Sequence, residues 1–191
     1  MFNKDFYPTP DSVIEDMHFG IDVADKIILE PSAGKGNIVD YLQSNGAKEV
    51  IACEINNDLA KIVSGKCRLI ASNFLLLTSA DVSHIDMIVM NPPFSEEEKH
   101  ILHAWEIAPS GCLIVSLCND SVVSNVNTEK KREISQLIKS NGKSIFLDSC
   151  FVDSERKTSV EVSCIYLSKP AVEEEDFSKY FSMEEDFEEQ G

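Results

Sequence analysis

The chain has 191 residues, 43% of them hydrophobic and 26% charged, with a formal net charge of −16. This size and composition favour one globular domain. No apolar run approaches the ~20 residues of a membrane-spanning helix, and the N-terminal "MFNKDFYPTP" lacks the apolar core of a signal peptide, so we expect a cytoplasmic protein that does not engage a membrane.

Short apolar runs alternate with segments of helical periodicity along residues 26–167. The apolar runs predict strands at 26–30, 49–54, 68–72, 86–90, 111–118, 143–150 and 159–169. The helical spacing predicts helices at 11–19, 37–46, 57–65, 95–108 and 128–142, with Ser95 and Thr128 as N-caps. Such alternation predicts an α/β fold with a mainly parallel sheet covered on both faces. The last two strands lack an intervening helix, so we expect the last strand to be antiparallel.

A glycine-containing turn follows the first predicted strand in "ILEPSAGKGNIVDYL". Gly34 and Gly36 lie between this strand and the next helix, where a flexible backbone can approach a ligand. Position 39 is Val, so the full G-x-G-x-x-G pattern is absent and phosphate binding is not specifically indicated. A plain turn and a ligand loop both remain open readings.

Two further features follow the second and third predicted strands. Glu54 ends the second strand, where open α/β sheets hold a ribose through its hydroxyls. "Ser72-Asn73-Phe74" ends the third strand and offers an uncharged acceptor followed by an aromatic ring. A lone Glu at a strand end is usually just solvated, but Glu54 together with the glycine turn is a stronger signal than either feature alone.

The fourth predicted strand ends abruptly in "NPPF", residues 91–94. Consecutive prolines fix φ and remove N–H donors, so they form a rigid corner at the sheet edge where ligands bind. The Asn91 amide oxygen and the Pro92 carbonyl could both accept hydrogen bonds from one amino group, and Phe94 could stack on its ring. Alternatively, Asn91 could cap a helix and Phe94 could belong to the core.

The distribution of charge, cysteines and histidines limits the kinds of partner and site. Residues 171–191 contain nine acids and one base, Lys179, and therefore carry −8 of the −16; we interpret them as a disordered acidic tail after a folded domain spanning 1–170. This charge repels nucleic acid unless other features compensate. The six cysteines form no C-x-x-C pair, and the histidines are scattered. We expect buried thiols and no metal site.

These motifs together resemble those of the class I S-adenosylmethionine-dependent amino-methyltransferases, and "NPPF" matches the N-P-P-[FYW] signature of that family. "EPSAGKGNI" is similar to the cofactor loop of that family, and Glu54 lies where the ribose-binding acid should be. "FYPTP" at 6–10 resembles the N-terminal cofactor motif of adenine-specific DNA methyltransferases. The resemblance implies a seven-stranded Rossmann-like methyltransferase sheet, a catalytic domain over 1–170, and S-adenosyl-L-methionine as cofactor.

The resemblance also implies roles for individual residues. The catalytic corner would comprise Asn91, Pro92, Pro93 and Phe94. The cofactor would contact Tyr7, Thr9, Glu30, Pro31, Ala33, Gly34, Gly36, Glu54, Ile55, Asn73, Phe74 and Asn91. The corner would accept hydrogen bonds from an exocyclic amino group and aim its lone pair at the methyl group, which is catalysis by positioning and electrostatics.

The acceptor remains open between several classes. "FYPTP" favours adenine in nucleic acid, with DNA preferred over RNA, although no recognition domain follows the core and a separate recognition subunit would then be needed. Arg156 and Lys157 could contact phosphates or merely solvate a hairpin. Related enzymes with this motif methylate guanine in ribosomal RNA or a protein glutamine amide. A binding module that uses the fold as an acidic scaffold is the non-enzymatic alternative.

Overall fold

Seven strands form a single sheet in the computed structural model, which describes residues 8–147 and 161–172. The strands are β1 (Ile27–Glu30), β2 (Glu49–Cys53), β3 (Arg68–Ala71), β4 (Met87–Met90), β5 (Leu113–Asn119), β6 (Gly142–Phe146) and β7 (Val162–Ser168). Their order across the sheet is β3-β2-β1-β4-β5-β7-β6. Strand β7 runs antiparallel to both neighbours, whereas the other pairings are parallel, which confirms the predicted topology.

Helices cover both faces of this sheet, also as predicted. They are α1 (Asp11–Met17), α2 (Asn37–Ser44), α3 (Asn57–Val63), α4 (Glu97–Ile107), α5 (Ser121–Ser124) and α6 (Glu129–Asn141). Helices α1 and α2 pack on one face of the central strands, and α4, α5 and α6 pack on the other. Neighbouring residues of one strand, such as Ile28 and Leu29, are buried on opposite faces. Burial on both sides explains why the strands are continuously apolar.

The helix after "NPPF" begins later than its sequence predicts. Ser95 was the expected N-cap, but α4 begins at Glu97 with Glu96 at the cap position. The reason is a turn in which the Glu96 N–H donates to the Pro93 carbonyl at 2.9 Å, so the proline corner extends into this turn. Thr128 does cap α6, accepting from the Lys131 N–H at 3.2 Å. Helix α5 was not predicted.

Several predictions concern residues outside the described ranges. These are the cofactor residue Tyr7, the basic pair Arg156 and Lys157, and all but the first two residues of the acidic segment 171–191. Of the described cysteines, Cys53, Cys112, Cys118 and Cys164 are buried, which confirms the prediction for them, and Cys67 is half-buried.

Candidate active site

A cleft of about 370 Å³ lies at the carboxyl ends of β1, β2 and β4. Strand β1 pairs with β2 on one side and with β4 on the other, so successive connections leave β1 in opposite directions. Ligands of open α/β sheets bind in the crevice that such a reversal creates. The glycine loop after β1 and the "NPPF" corner after β4 therefore face the same space.

The loop after β1 is held in place by the end of β2. The Ala33 N–H donates to the Cys53 carbonyl at 3.1 Å, and the Gly36 N–H donates to the Ala33 carbonyl at 2.7 Å. Gly34 and Gly36 have φ values of 56° and 86°, in the left-handed region that glycine tolerates. A Cβ on Gly36 would also lie 2.9 Å from the Lys66 side chain. The sequence therefore needs glycine here for the turn itself.

Glu54 binds the glycine loop through its side chain. Its Oε2 accepts the Gly34 N–H and its Oε1 accepts the Asn56 N–H, both at 2.7 Å. The residue is buried, yet it lines the cleft. Each carboxylate oxygen has two lone-pair directions, so both can accept a further hydrogen bond from a ligand.

Glu30 lies at the end of β1 and is fully buried. Its Oε1 accepts the Ser32 N–H at 2.9 Å, whereas its Oε2 has no hydrogen-bond partner among the described residues. Burial raises the Glu30 pKa to about 8; the Ser32 hydrogen bond opposes this rise and the nearby Glu54 adds to it. An unpaired buried oxygen is costly, so this position suits a cationic or N–H-bearing ligand.

An aromatic group forms the end of the cleft near β3. Phe74 is 2% exposed and stacks on His100 at a centroid distance of 5.6 Å. Asn73 caps the 3₁₀ helix Phe74–Leu76 by accepting the Leu75 N–H on Oδ1 at 3.0 Å. The Asn73 oxygen expected to accept a ligand hydrogen bond is thus already in use once. Ile55, in contrast, is 70% exposed at the cleft.

Asn91 and Pro92 form the opposite wall. The Asn91 Nδ2 donates to Thr9 Oγ1 at 2.9 Å, across 82 positions of sequence. Because the amide nitrogen is held by Thr9, the amide oxygen Oδ1 is the end left for a ligand. Behind the corner, buried Glu97 accepts the Asn119 N–H at 2.8 Å and so ties α4 to the end of β5.

Most of the predicted site residues meet in this one cleft. Its lining includes, from the proposed cofactor side, Thr9, Glu30, Pro31, Ala33, Gly34, Glu54 and Ile55. It also includes Asn73, Phe74, Asn91, Pro92, Pro93 and Phe94. Gly36 does not line the cleft, and Tyr7 lies outside the described residues. The roles of these residues stay predictions.

The cleft contains polar residues that the sequence did not single out for this site. Asn37, the first residue of α2, donates from Nδ2 to the Thr9 carbonyl at 3.2 Å. His100 Nδ1 lies 3.0 Å from the Glu96 carbonyl, and burial lowers the His100 pKa, which favours the neutral ring. The position of His100 six residues after Phe94, on a predicted helix face, is the signal that could have identified it.

Two kinds of feature are absent from the described ranges 8–147 and 161–172. No group of three or more His, Cys, Asp or Glu side chains there could hold a metal ion. No helix there has the length and apolar character needed to cross a membrane.

Sequence comparison identifies no relative: no protein-family model and no curated protein matches the chain. Solved structures do match its fold. An RNA methyltransferase from Salinibacter ruber, crystallised with S-adenosyl-L-homocysteine, has a TM-score of 0.58 and 16% identity, covering 89% of this chain and 98% of that one.

Two further structures extend this similarity. The 23S rRNA methyltransferase ErmE has a TM-score of 0.63 and 14% identity, covering 94% of this chain and 78% of that one. A dimethyladenosine transferase from Plasmodium falciparum has a TM-score of 0.63 and 15% identity, covering 86% of this chain and 63% of that one. At such identities the similarity establishes the fold alone, and it confirms the predicted Rossmann-like methyltransferase sheet.

Proposed function

We propose that this chain is an S-adenosylmethionine-dependent methyltransferase that modifies the exocyclic amino group of adenine in nucleic acid. The observation that carries the proposal is the sharing of one cleft: the Asn91–Pro92 corner faces the glycine loop and the buried carboxylates of Glu30 and Glu54. The structural similarity to enzymes named as RNA methyltransferases supports the same activity.

The cofactor fits the polar groups on one side of the cleft. Glu30 Oε2, buried and unpaired among the described residues, would accept a hydrogen bond from the ammonium group of the methionine moiety, whose positive charge would favour the ionised carboxylate. Glu54 would accept hydrogen bonds from the ribose hydroxyls while it holds the loop at Gly34. The exposed Ile55 side chain would pack on the adenine ring. When bound, the cofactor supplies a methyl group on a positively charged sulfur.

The acceptor fits the other side. Asn91 Oδ1 and the Pro92 carbonyl would accept the two N–H bonds of an exocyclic amino group. These bonds localise the nitrogen lone pair, which is otherwise delocalised into the ring, and orient it for attack. Phe94 would stack on the ring. A base inside a duplex would first have to leave the stack, at a cost of about a few kcal/mol.

Two observations bear on the acceptor; they agree on the base and differ on whether the polymer is DNA or RNA. The N-terminal "FYPTP" resembles a motif of adenine-specific DNA methyltransferases, whereas two of the three structures reported above are named as RNA methyltransferases. Adenine is the base that the enzymes resembled by "FYPTP" methylate, and it is also the base in the name of the dimethyladenosine transferase. We therefore propose the base and leave DNA and RNA as separate arms of the experiment.

The test is methyl transfer from labelled S-adenosylmethionine to separate pools of DNA, RNA and protein. We expect label in nucleic acid, recovered after digestion as N6-methylated adenosine or deoxyadenosine by mass spectrometry. Asn91→Ala should lower the rate of transfer by about 10²- to 10³-fold, whereas Asn45→Ala, which changes an exposed asparagine outside the cleft, should leave it unchanged.

Several outcomes would contradict the proposal. Label recovered on a glutamine amide would replace nucleic acid with protein as the acceptor class. Absence of transfer to every pool, together with failure of S-adenosyl-L-homocysteine to bind in calorimetry, would refute the methyltransferase assignment.

A further inference from the structure

The bond between Thr9 and Asn91 fixes the position of the asparagine amide at the edge of the cleft. Thr9 is 5% exposed, and its Oγ1 lies 2.9 Å from Asn91 Nδ2. The oxygen and nitrogen of a primary amide are nearly equal in size but opposite in hydrogen-bonding character. A threonine hydroxyl can accept from Nδ2 or donate to Oδ1, so the bond alone permits both orientations. The orientation in the structure, with Nδ2 on Thr9, leaves Oδ1 for an incoming amino group, which consists of donors.

Thr9 is itself fixed by contacts that do not involve Asn91. Asn37 donates from Nδ2 to the Thr9 carbonyl at 3.2 Å, which ties Thr9 to the start of α2. Helix α1 follows directly and buries Val13, Ile14 and Met17 against the sheet. The Tyr166 hydroxyl of β7 donates to the Met17 carbonyl at 2.9 Å and anchors the other end of α1. A side chain supported in this way can impose an orientation on its partner.

We propose that Thr9 is a positioning residue for Asn91, an inference that rests on the proposed function. The Thr9 hydroxyl holds Asn91 Nδ2, and Asn91 Oδ1 is thereby directed toward the acceptor amino group. This role differs from the cofactor contact that the sequence resemblance assigns to Thr9. It also connects the cofactor side and the acceptor side, since Asn37 lines the cleft beside the glycine loop.

The decisive variants remove or retain the hydroxyl with little change of shape. Thr9→Val replaces the hydroxyl with a methyl group, and Thr9→Ser keeps the hydroxyl. Ser12→Ala removes a hydroxyl from an exposed position of the same segment and is the matched control. For each protein, calorimetry gives the Kd of S-adenosyl-L-homocysteine, single-turnover assays give the transfer rate, and thermal unfolding checks the fold.

We expect Thr9→Val to slow single-turnover transfer by about 10- to 100-fold, because small misplacement of a reacting group has effects of this size. The Kd should stay within about threefold of wild type. Thr9→Ser and Ser12→Ala should transfer at close to the wild-type rate. An equal loss of cofactor affinity and rate in Thr9→Val would make Thr9 a cofactor ligand, and an unchanged rate would exclude positioning; either result overturns the inference.

A readout that does not need activity separates this inference from the proposed function. The side-chain NH₂ of Asn91 can be assigned in ¹⁵N-asparagine-labelled protein by its loss in Asn91→Asp. We expect its two proton signals to shift and to exchange faster in Thr9→Val, but not in Ser12→Ala. Unchanged signals overturn the bond. Shifted signals in a protein that methylates no acceptor establish the bond and refute the proposed function.

Discussion

The two sides of the cleft hold their polar groups in different ways. On the carboxylate side, Glu30 and Glu54 are ionisable, buried and bonded to backbone N–H groups of nearby loops. On the amide side, Asn91 is uncharged and is held by a side chain from a distant part of the sequence, Thr9. One side thus offers two ionisable carboxyl groups bonded to a preformed loop, and the other offers a neutral, oriented oxygen.

This difference assigns separate tasks to the two sides. Ionisable carboxylates match a ligand with an ammonium group and hydroxyls, so changes there should alter binding. An oriented neutral oxygen contributes little to holding a ligand but much to aligning it, so changes there should alter rate. Variants that alter the affinity without the rate, or the rate without the affinity, therefore test whether the two sides have separate tasks.

The largest effect should come from Asn91→Ala. Loss of one oriented polar group at a reacting centre typically lowers the rate by about 10²- to 10³-fold. We expect such a fall in single-turnover methyl transfer, with the Kd of S-adenosyl-L-homocysteine within about threefold of wild type. A comparable loss of affinity would show that the two sides are not functionally distinct.

Glu54→Gln should mainly weaken binding. The substituted amide keeps one oxygen but turns an NH₂ toward either Gly34 or Asn56, so one buried N–H loses its acceptor, at about 1–3 kcal/mol. We expect the calorimetric Kd of S-adenosyl-L-homocysteine to rise by about 10- to 100-fold. The transfer rate at saturating cofactor should stay within about threefold of wild type.

The control is Glu49→Gln, at the start of the strand that Glu54 follows. It removes the exposed pairing of Glu49 with Arg68 at 2.9 Å, and surface pairs of this kind contribute little. Its Kd should match wild type. If both variants weaken binding equally, Glu54 has no special role at the cleft.

Parts of both sides could be predicted from the sequence. The carboxylate side could be predicted because its signals are local: a strand, a turn with Gly34 and Gly36, and an acid one strand later. The "NPPF" corner could be predicted because consecutive prolines restrict the backbone whatever surrounds them. The fold followed from continuous apolar strands, which need cover on both faces.

What the sequence missed depends on contacts between distant residues. Nothing near Thr9 indicates that its hydroxyl would meet Asn91, because the bond exists only once α1 packs on the sheet. The unpaired oxygen of Glu30 likewise depends on burial from every side. Helix α4 begins after the predicted Ser95 cap because the Pro93–Glu96 turn uses those residues first.

Glu30→Gln should change how the free energy of unfolding depends on pH. The folded Glu30 pKa is about 8, above the ordinary value of 4.5, so between pH 7 and 8 folded Glu30 retains a proton that the unfolded chain has lost. Stability therefore falls as pH rises, by about 1 kcal/mol over this interval. Burial lowers the pKa values of His18 and His100, so both are neutral in the folded state above pH 7, and their ordinary pKa of 6.5 leaves them largely neutral in the unfolded chain as well.

Glu97 limits the choice of pH range for this measurement. Burial raises its pKa to about 7, so its contribution lies mostly below the chosen interval. Urea denaturation at pH 7, 7.5 and 8 should give a falling free energy of unfolding for wild type and a nearly flat one for Glu30→Gln. Parallel curves for the two proteins would mean that Glu30 ionises normally in the folded state.

The smallest effect should come from Asn73→Asp, at the end of the cleft near β3. The carboxylate can still accept the Leu75 N–H that Asn73 Oδ1 accepts at 3.0 Å, so the cap of the 3₁₀ helix survives. It adds a charged acceptor for an exocyclic amino group, and charge-assisted hydrogen bonds are about twice as strong as neutral ones. We expect S-adenosyl-L-homocysteine to bind about two- to fivefold more tightly. The analogue with hypoxanthine in place of adenine lacks that amino group and should show no gain; an equal gain for both ligands would place the adenine away from Asn73.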